Sequence, residues 1–436
     1  MRLAFLTPLP PAPTGIADYS ADVIGLLASR HEIDVFHDQE EVERDRLPRA
    51  LGIHRAAEFP RRHAERPYDL AVYQMGNGVA HAFLYPLLVR VPGLLVLHDL
   101  VLHHSRAKTF LESPEALAYA RDPSSADLRE RARTRIAEYE AEVAYVYPAQ
   151  SDRLALTHLS TTGDLLPYAY PLFRIPVEAS RLTAVHNDFM AAAIREEVPG
   201  AGVACVALPV APSPREPVVV ANLRRRLGFE PTDLVVGCFG LMTREKRVPT
   251  VARAVRRAAV AFPRLRLLLV GPLPDAPDLR ARLESLGMAE RTVVAGRVPR
   301  DDLATYMEAA DIVVHLRYPT ARETSAALLR VLAQGRPTVM ADLEHLDAVP
   351  EDAVLRLDVS DEEGETTRAI LRLAGRPEER ARLGRAGSRF AAREHSEERC
   401  LADYEAVVAA AARRPAPGAG RWPAHWIAST DGKMGA

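Results

Sequence analysis

The chain has 436 residues, more than one ordinary domain holds and enough for about two or three. Hydrophobic residues make up 48% and charged residues 26%, which supports packed cores and excludes a disordered chain. A net charge of −2 argues against a nucleic-acid coat or a polybasic membrane anchor, and three scattered cysteines (Cys205, Cys238, Cys400) argue against a disulfide scaffold or a zinc site.

The first predicted strand, Arg2–Thr7, is cut off by Pro8, Pro10, Pro11 and Pro13, too soon for a signal peptide. No run of about 18 apolar residues lacks a charge, so no membrane span is expected and the cytoplasm is the expected location. Short β-branched or Leu-rich runs then alternate with helical stretches, the pattern of a parallel α/β architecture. Strands are predicted at Glu32–His37, Asp69–Met75, Gly93–His98, Arg181–Asn187 and Val203–Leu208, with helices at Ala17–Ser29 and Asp127–Tyr145. Residues 100–180 read as mostly helical.

Four prolines in residues 209–217 predict a linker, because proline removes backbone donors and restricts its predecessor. After it, strands are predicted at Leu234–Gly240, Leu265–Gly271, Thr292–Gly296, Asp311–Arg317, Pro337–Ala341 and Val354–Leu357. Helices fall at Val248–Ala261, Pro277–Leu286, Arg300–Ala309 and Ser325–Gln334, and a long helical stretch covers about 376–412. The division expected is a Rossmann-like domain over 1–208, the linker, and a second Rossmann-like domain over 218–395. A helix over 396–412 is expected to pack back on the first domain, and 413–436, which holds Trp422 and Trp426, is expected to be a flexible tail.

In doubly wound sheets ligands bind beyond the carboxyl ends of the strands, so the residues that follow each strand carry the functional reading. No strand is followed by a dinucleotide or P-loop glycine motif. Gly15 ends the proline-rich loop where a helix begins, and free amides there favour an anion; an ordinary strand–helix connection is the alternative. His98 closes a buried strand and is followed by Asp99, His103 and His104. It reads either as a catalytic or ligand-orienting imidazole or as a satisfied core histidine. Gly240, Arg244, Lys246 and Arg247 precede a helix start. Cations there oppose the helix dipole unless an anion shares the site, and a diphosphate would supply one. Of the 56 basic residues only Lys108, Lys246 and Lys433 are lysines, which sets Lys246 apart. Arg317 leads into Glu323, Thr324 and Ser325. Thr324 or Ser325 can cap the next helix, Glu323 can accept hydrogen bonds from sugar hydroxyls, and Arg330 lies within that helix.

Taken together, the stretches PLPPAPTGIADYS (8–20), YQMGN (73–77), VLHDLVLHH (96–104), FGLMTREKR (239–247), LLLVG (267–271), AADIVVHLRYPTARETSAALLRVLAQGRPTV (309–339) and EHSEERCLADYEAVV (394–408) resemble the retaining GT-B glycosyltransferases of the glycosyltransferase family 4 type. They are spread over nearly the whole chain, and the RYPTxxETS form marks a subgroup. The resemblance implies two Rossmann-like domains facing a central cleft, with the nucleotide-sugar on the carboxyl domain and most of the acceptor on the amino domain. It implies catalytic roles for His98, Lys246 and Glu323, and donor contacts from Gly15, Gly240, Arg244, Lys246, Gly296, Arg317, Thr324, Ser325 and Arg330. Acceptor contacts fall to Tyr19, Asn77 and Asp99. There are departures from the family pattern. Leu241 and Met242 stand where an arginine usually precedes the lysine. Aligned on Gly335 and Pro337, Arg322 and Arg330 occupy the slots of the usual glutamate pair, with Glu323 one residue late.

The activity implied is retaining transfer of a hexose from a GDP-mannose or UDP-hexose type donor to a glycan, lipid-linked or small-molecule acceptor, as in polysaccharide biosynthesis. The nucleotide-sugar is a co-substrate; no resident cofactor, metal or nucleic acid is expected. A sugar-nucleotide epimerase or hydrolase, or a degenerate nucleotide-sugar-binding subunit, is the alternative.

Overall fold

A computed structural model of the chain describes residues 1–160, 165–274, 276–418, 420 and 422–427. The chain divides into two compact units. The first comprises Met1–Pro209, Ala321–Thr324 and the described residues from Cys400 onward; the second comprises Val210–Thr320 and Ser325–Arg399.

In the first unit the strands are β1 (Arg2–Leu6), β2 (Glu32–His37), β3 (Gly52–Arg55), β4 (Leu70–Met75), β5 (Leu94–Leu97), β6 (Leu182–Val185) and β7 (Val203–Cys205). They form one parallel sheet in the order β3-β2-β1-β4-β5-β6-β7. Leu3 pairs with Ile33 on one side and Leu70 on the other, so the strand order reverses beside β1. The second unit has β8 (Leu234–Phe239), β9 (Leu265–Val270), β10 (Thr292–Gly296), β11 (Ile312–His315), β12 (Thr338–Ala341) and β13 (Val354–Leu357). Its parallel sheet runs β10-β9-β8-β11-β12-β13, with the reversal between β8 and β11.

Both faces of the second sheet are buried. Val236 and Cys238 of β8 pack toward the helix Val248–Ala258, while Val235 and Phe239 pack with Leu223 and Met307 on the other side. This is why each strand reads as an almost unbroken apolar run. β3 escaped prediction because Gly-Ile-His-Arg offers one apolar side chain, which suffices for an edge strand. Proline at the first helical position explains a second difference: a helix Pro217–Arg226 begins at the last residue of the expected linker. The expected long helix over 376–412 is two helices, Pro377–Glu394 and Glu397–Arg413. Between β5 and β6 the described residues hold six helices, the longest Ala126–Val146, in line with the helical reading of 100–180. No helix among the described residues is long and apolar enough to cross a membrane.

The free tail expected over 413–436 is corrected for residues 422–427; residues 428–436 lie outside the described residues. Trp426 is buried and its indole donates to Glu142, as does His425 Nε2 at 2.7 Å. Glu142 is itself buried in a salt bridge with Arg106, whose guanidinium lies 4.0 Å from the Tyr85 ring centroid. Burial pushes the Glu142 carboxyl up, but Arg106 and His425 outweigh it and bring it down to about 2. The tail is held because it completes the hydrogen bonding of a buried carboxylate. Trp426→Ala is therefore expected to cost about 3–5 kcal/mol, read as a lowered urea midpoint; an unchanged midpoint would contradict a docked tail.

Candidate functional site

In the second unit the loops after β8 and β11, on either side of the strand reversal, bring together the most distinctive groups. Gly240 follows β8 with φ +104°, and its amide donates to Val270 O at 2.9 Å. Gly271, at φ +142°, comes so close that a Cβ there would lie 1.9 Å from Gly240 O, so both positions require glycine. The chain then turns through Arg244–Lys246, and Arg247 takes up a left-handed φ of +54° before the helix Val248–Ala258, whose first turn has no side-chain cap. Lys246 points inward: it is 6% exposed, and its Nζ lies 3.4 Å from Nδ1 of His315 at the end of β11. Arg244, by contrast, is exposed.

Burial first, then the charges of Lys246 and Arg317 and the ring of His345, push the His315 imidazole well below its ordinary range. His315 is therefore neutral and accepts a hydrogen bond from the Lys246 ammonium. Lys246, Arg317 and His345 thus surround one neutral ring, and a site of that kind attracts an anion. Sequence reasoning overlooked His315 and His345. The rule that singled out His98, a histidine at the carboxyl end of a buried strand, would have found His315. Gly296, at φ +68°, ends β10, and its carbonyl accepts from the Gly271 amide. Ser325 caps the helix Ala326–Ala333 by accepting from Leu328 N, as the sequence predicts, and Arg330 sits half-buried in that helix's last turn.

In the first unit the reversal lies between β1 and β4. Gly15 opens the helix Gly15–Leu27, with Thr14 accepting from Ile16 N. A Cβ at Gly15 would meet no atom within 4 Å, so internal packing does not explain the glycine. Asn77 and Asp99 order the loops after β4 and β5: Asp99 Oδ2 accepts from Asn77 N at 2.8 Å, and Asn77 Oδ1 accepts from Ser105 N.

His98 and Tyr19, expected beside the sugar and the acceptor, are both buried within the first unit. His98 is 7% exposed; Nε2 meets the Gln74 carboxamide at 2.7 Å and Nδ1 meets His186 Nε2 at 3.1 Å. As a neutral ring His98 donates from Nε2 to Gln74 Oε1, which leaves its Nδ1 facing His186 Nε2, while His186 Nδ1 meets Val206 O at 3.0 Å. Both nitrogens of His98 are thereby used inside the unit, and burial holds its imidazole well below the ordinary range. Tyr19 is buried with its hydroxyl 2.6 Å from that of Tyr404, which accepts in turn from Gln74 Nε2.

The segment Ala321–Thr324 belongs to the first unit although its flanking residues belong to the second. Leu100 N donates to Ala321 O at 2.9 Å, and Asn187 Nδ2 donates to Arg322 O and Thr324 Oγ1, both at 3.0 Å. Thr324 Oγ1 donates onward to His186 O at 3.1 Å. Arg322, at φ +63°, lays its guanidinium 4.9 Å from the Phe189 ring centroid. The Thr324 side chain expected to serve a donor is thus used structurally, while Glu323 is half-buried between the two anchored residues.

Comparison with known proteins bears on both units. Residues 233–376 match the family described as glycosyl transferases group 1. Over 198 residues the chain is 26% identical to 2-deoxystreptamine glucosyltransferase of Streptomyces kanamyceticus, covering 44% of this chain and 51% of that protein. Over 205 residues it is 31% identical to D-inositol 3-phosphate glycosyltransferase of Segniliparus rotundus, covering 45% of each. The aligned stretch spans about half the length of these curated relatives. Among solved structures, sucrose-phosphate synthase from Thermosynechococcus elongatus superposes with a TM-score of 0.63 at 17% identity, over 94% of this chain and 100% of that one. Anabaena HepE in complex with UDP and glucose gives 0.64 at 15% identity over the same shares. WaaG, a glycosyltransferase of lipopolysaccharide biosynthesis, gives 0.60 at 13% identity over 93% and 99%. The fold is GT-B: two Rossmann-like domains, each built on a parallel sheet.

Four buried imidazoles, His81, His98, His103 and His315, are all lowered by burial, His81 and His103 to about 4. Each stays neutral in the folded chain while the unfolded chain takes up a proton below about 6.5. Their contribution to stability is complete above that pH and is lost as pH falls toward 4. Thermal melts should show a falling Tm from about pH 6.5 to pH 4.5, with proton uptake on unfolding; a flat profile over that window would contradict four neutral rings.

Proposed function

We propose that the chain is a retaining glycosyltransferase that moves a sugar from a nucleotide-diphosphate donor to a hydroxyl of a glycan, lipid-linked or small-molecule acceptor. The observation that carries this reading is the inward-facing Lys246, set beside neutral His315 at the strand reversal of the second sheet, within the stretch that matches the glycosyl transferase family. The second unit supplies the donor half. Gly240 leaves the backbone open beside Lys246, whose Nζ would lie 3.6 Å from a Cβ at that position. Support for a UDP-linked or similar donor comes from the complexes of HepE with UDP and UDP-glucose, which has the same fold.

Breaking the bond between the anomeric carbon and the phosphate oxygen develops positive charge on carbon and negative charge on the diphosphate. Stabilising the diphosphate end is the largest lever a protein has here. Lys246 and Arg317 neutralise it with charge-assisted hydrogen bonds, which makes a metal unnecessary to the proposal. The acceptor oxygen bonds to the anomeric carbon on the face the diphosphate leaves. Its proton passes to a diphosphate oxygen, so no protein nucleophile is needed. Glu323 accepts hydrogen bonds from the sugar hydroxyls.

A thermal-shift panel of UDP-, GDP-, ADP- and dTDP-sugars tests the reading. One of them is expected to raise Tm, because ligand bound to the folded state stabilises it, and silence across the panel would argue against a nucleotide-sugar enzyme. With the donor so identified, Lys246→Ala should lower turnover by about a hundredfold or more, since the lost charge is felt most in the transition state; near-unchanged turnover would remove Lys246 from the mechanism. Glu323→Gln should weaken binding of the sugar nucleotide while sparing the free nucleoside diphosphate. Equal losses for both in calorimetry would count against a contact with the sugar.

A further inference from the structure

The loop that carries Glu323 leaves β11 of the second unit, yet its four central residues are built into the first unit. Asn187 is the residue that does this. It follows β6 and is the N-cap of the helix Asp188–Glu197, its Oδ1 accepting from Met190 N at 2.8 Å. The other end of the same carboxamide, Nδ2, donates to the carbonyl of Arg322 and to the hydroxyl of Thr324, one residue either side of Glu323. Only an amide can do all three, because it carries an acceptor and two donors on one planar group. The hydroxyl it binds is fixed a second time, by donation to His186 O. The turn between the two anchor points needs a left-handed residue, and Arg322 takes that conformation with its guanidinium packed over Phe189, two residues after Asn187.

We infer that Asn187 is a positioning residue: its carboxamide holds the Arg322 carbonyl and the Thr324 hydroxyl, one residue either side of Glu323, and so fixes where that carboxylate is presented. The inference rests on the proposed role of Glu323 toward the donor sugar, and it assigns that presentation to the first unit. The clamp is stiff because every polar atom of the Asn187 side chain is used and the residue is only 9% exposed.

Asn187→Ser separates the clamp from the cap. Serine caps helices about as well as asparagine, so the helix Asp188–Glu197 stays intact, but serine cannot supply the two donated bonds. Asn187→Ala removes both functions and serves as the destabilised reference. Hydrogen exchange on the full chain, followed in peptides covering 320–325, is expected to speed up by about tenfold or more in Asn187→Ser, with Tm close to that of the parent chain. Unchanged exchange would overturn the clamp whatever the enzyme's activity. In calorimetry against UDP-glucose, GDP-mannose and the free diphosphates UDP and GDP, Asn187→Ser is expected to lose about tenfold in affinity for the sugar nucleotide that binds the parent chain. Affinity for the matching diphosphate should not change. Faster exchange with both affinities unchanged would overturn the positioning role. If the parent chain binds none of the four, the glycosyltransferase reading fails, and exchange alone then decides whether the clamp exists.

Discussion

A parallel sheet covered on both faces leaves little room for polar side chains along its strands. The polar chemistry of such a unit collects where the strands end and the loops begin. In this chain that constraint acts twice. Leu3–Leu6 of β1 are all fully buried, and so are Leu94–Leu97 of β5, yet β5 runs directly into His98 and Asp99. Ile312–Val314 of β11 are apolar and buried, and His315, Arg317 and the loop to Ser325 follow at once. A buried imidazole or ammonium at such a place needs partners, and what partners it has decides its role.

The two buried histidines at strand ends illustrate the difference. His98 is enclosed by Gln74 and His186, inside a chain of contacts running from Tyr404 to the Val206 carbonyl, so both its nitrogens are engaged within the first unit. His315 is also neutral and buried, but its neighbours are cations, Lys246 and Arg317. Neutrality there leaves the positive charge of Lys246 and Arg317 uncancelled. A carboxylate in place of His315 would cancel that charge. Identical residue types at strand ends thus sit in different surroundings, a hydrogen-bonded network in one sheet and a pair of cations in the other.

Much of this was legible from the chain of letters. Apolar runs bounded by turn residues gave every strand but β3, whose single isoleucine is too little signal for an edge strand. The lone inward lysine of the 239–247 loop stood out against an arginine-rich background. What stayed hidden were long-range partnerships. Nothing near Tyr19 announces Tyr404, and nothing near Glu142 announces Trp426, because these pairs are set by packing and not by periodicity. Glu-Thr-Ser was read as a cap with a sugar-facing acid. The cap is there, on Ser325, but Thr324 is taken by Asn187 and His186, a pairing across more than a hundred residues.

The way the chain threads its two units has a practical corollary. A gene fragment encoding residues 210–399 would carry 321–324 without Leu100 or Asn187 to receive them, and a fragment ending at 209 would lack both that strip and the helix bearing Tyr404. Each half, expressed alone, would expose backbone and side-chain groups that the intact polypeptide satisfies. Dissection of this chain by simple scission is therefore a poor route to its parts, and circular rearrangement that keeps 321–324 tethered at both ends is the better one.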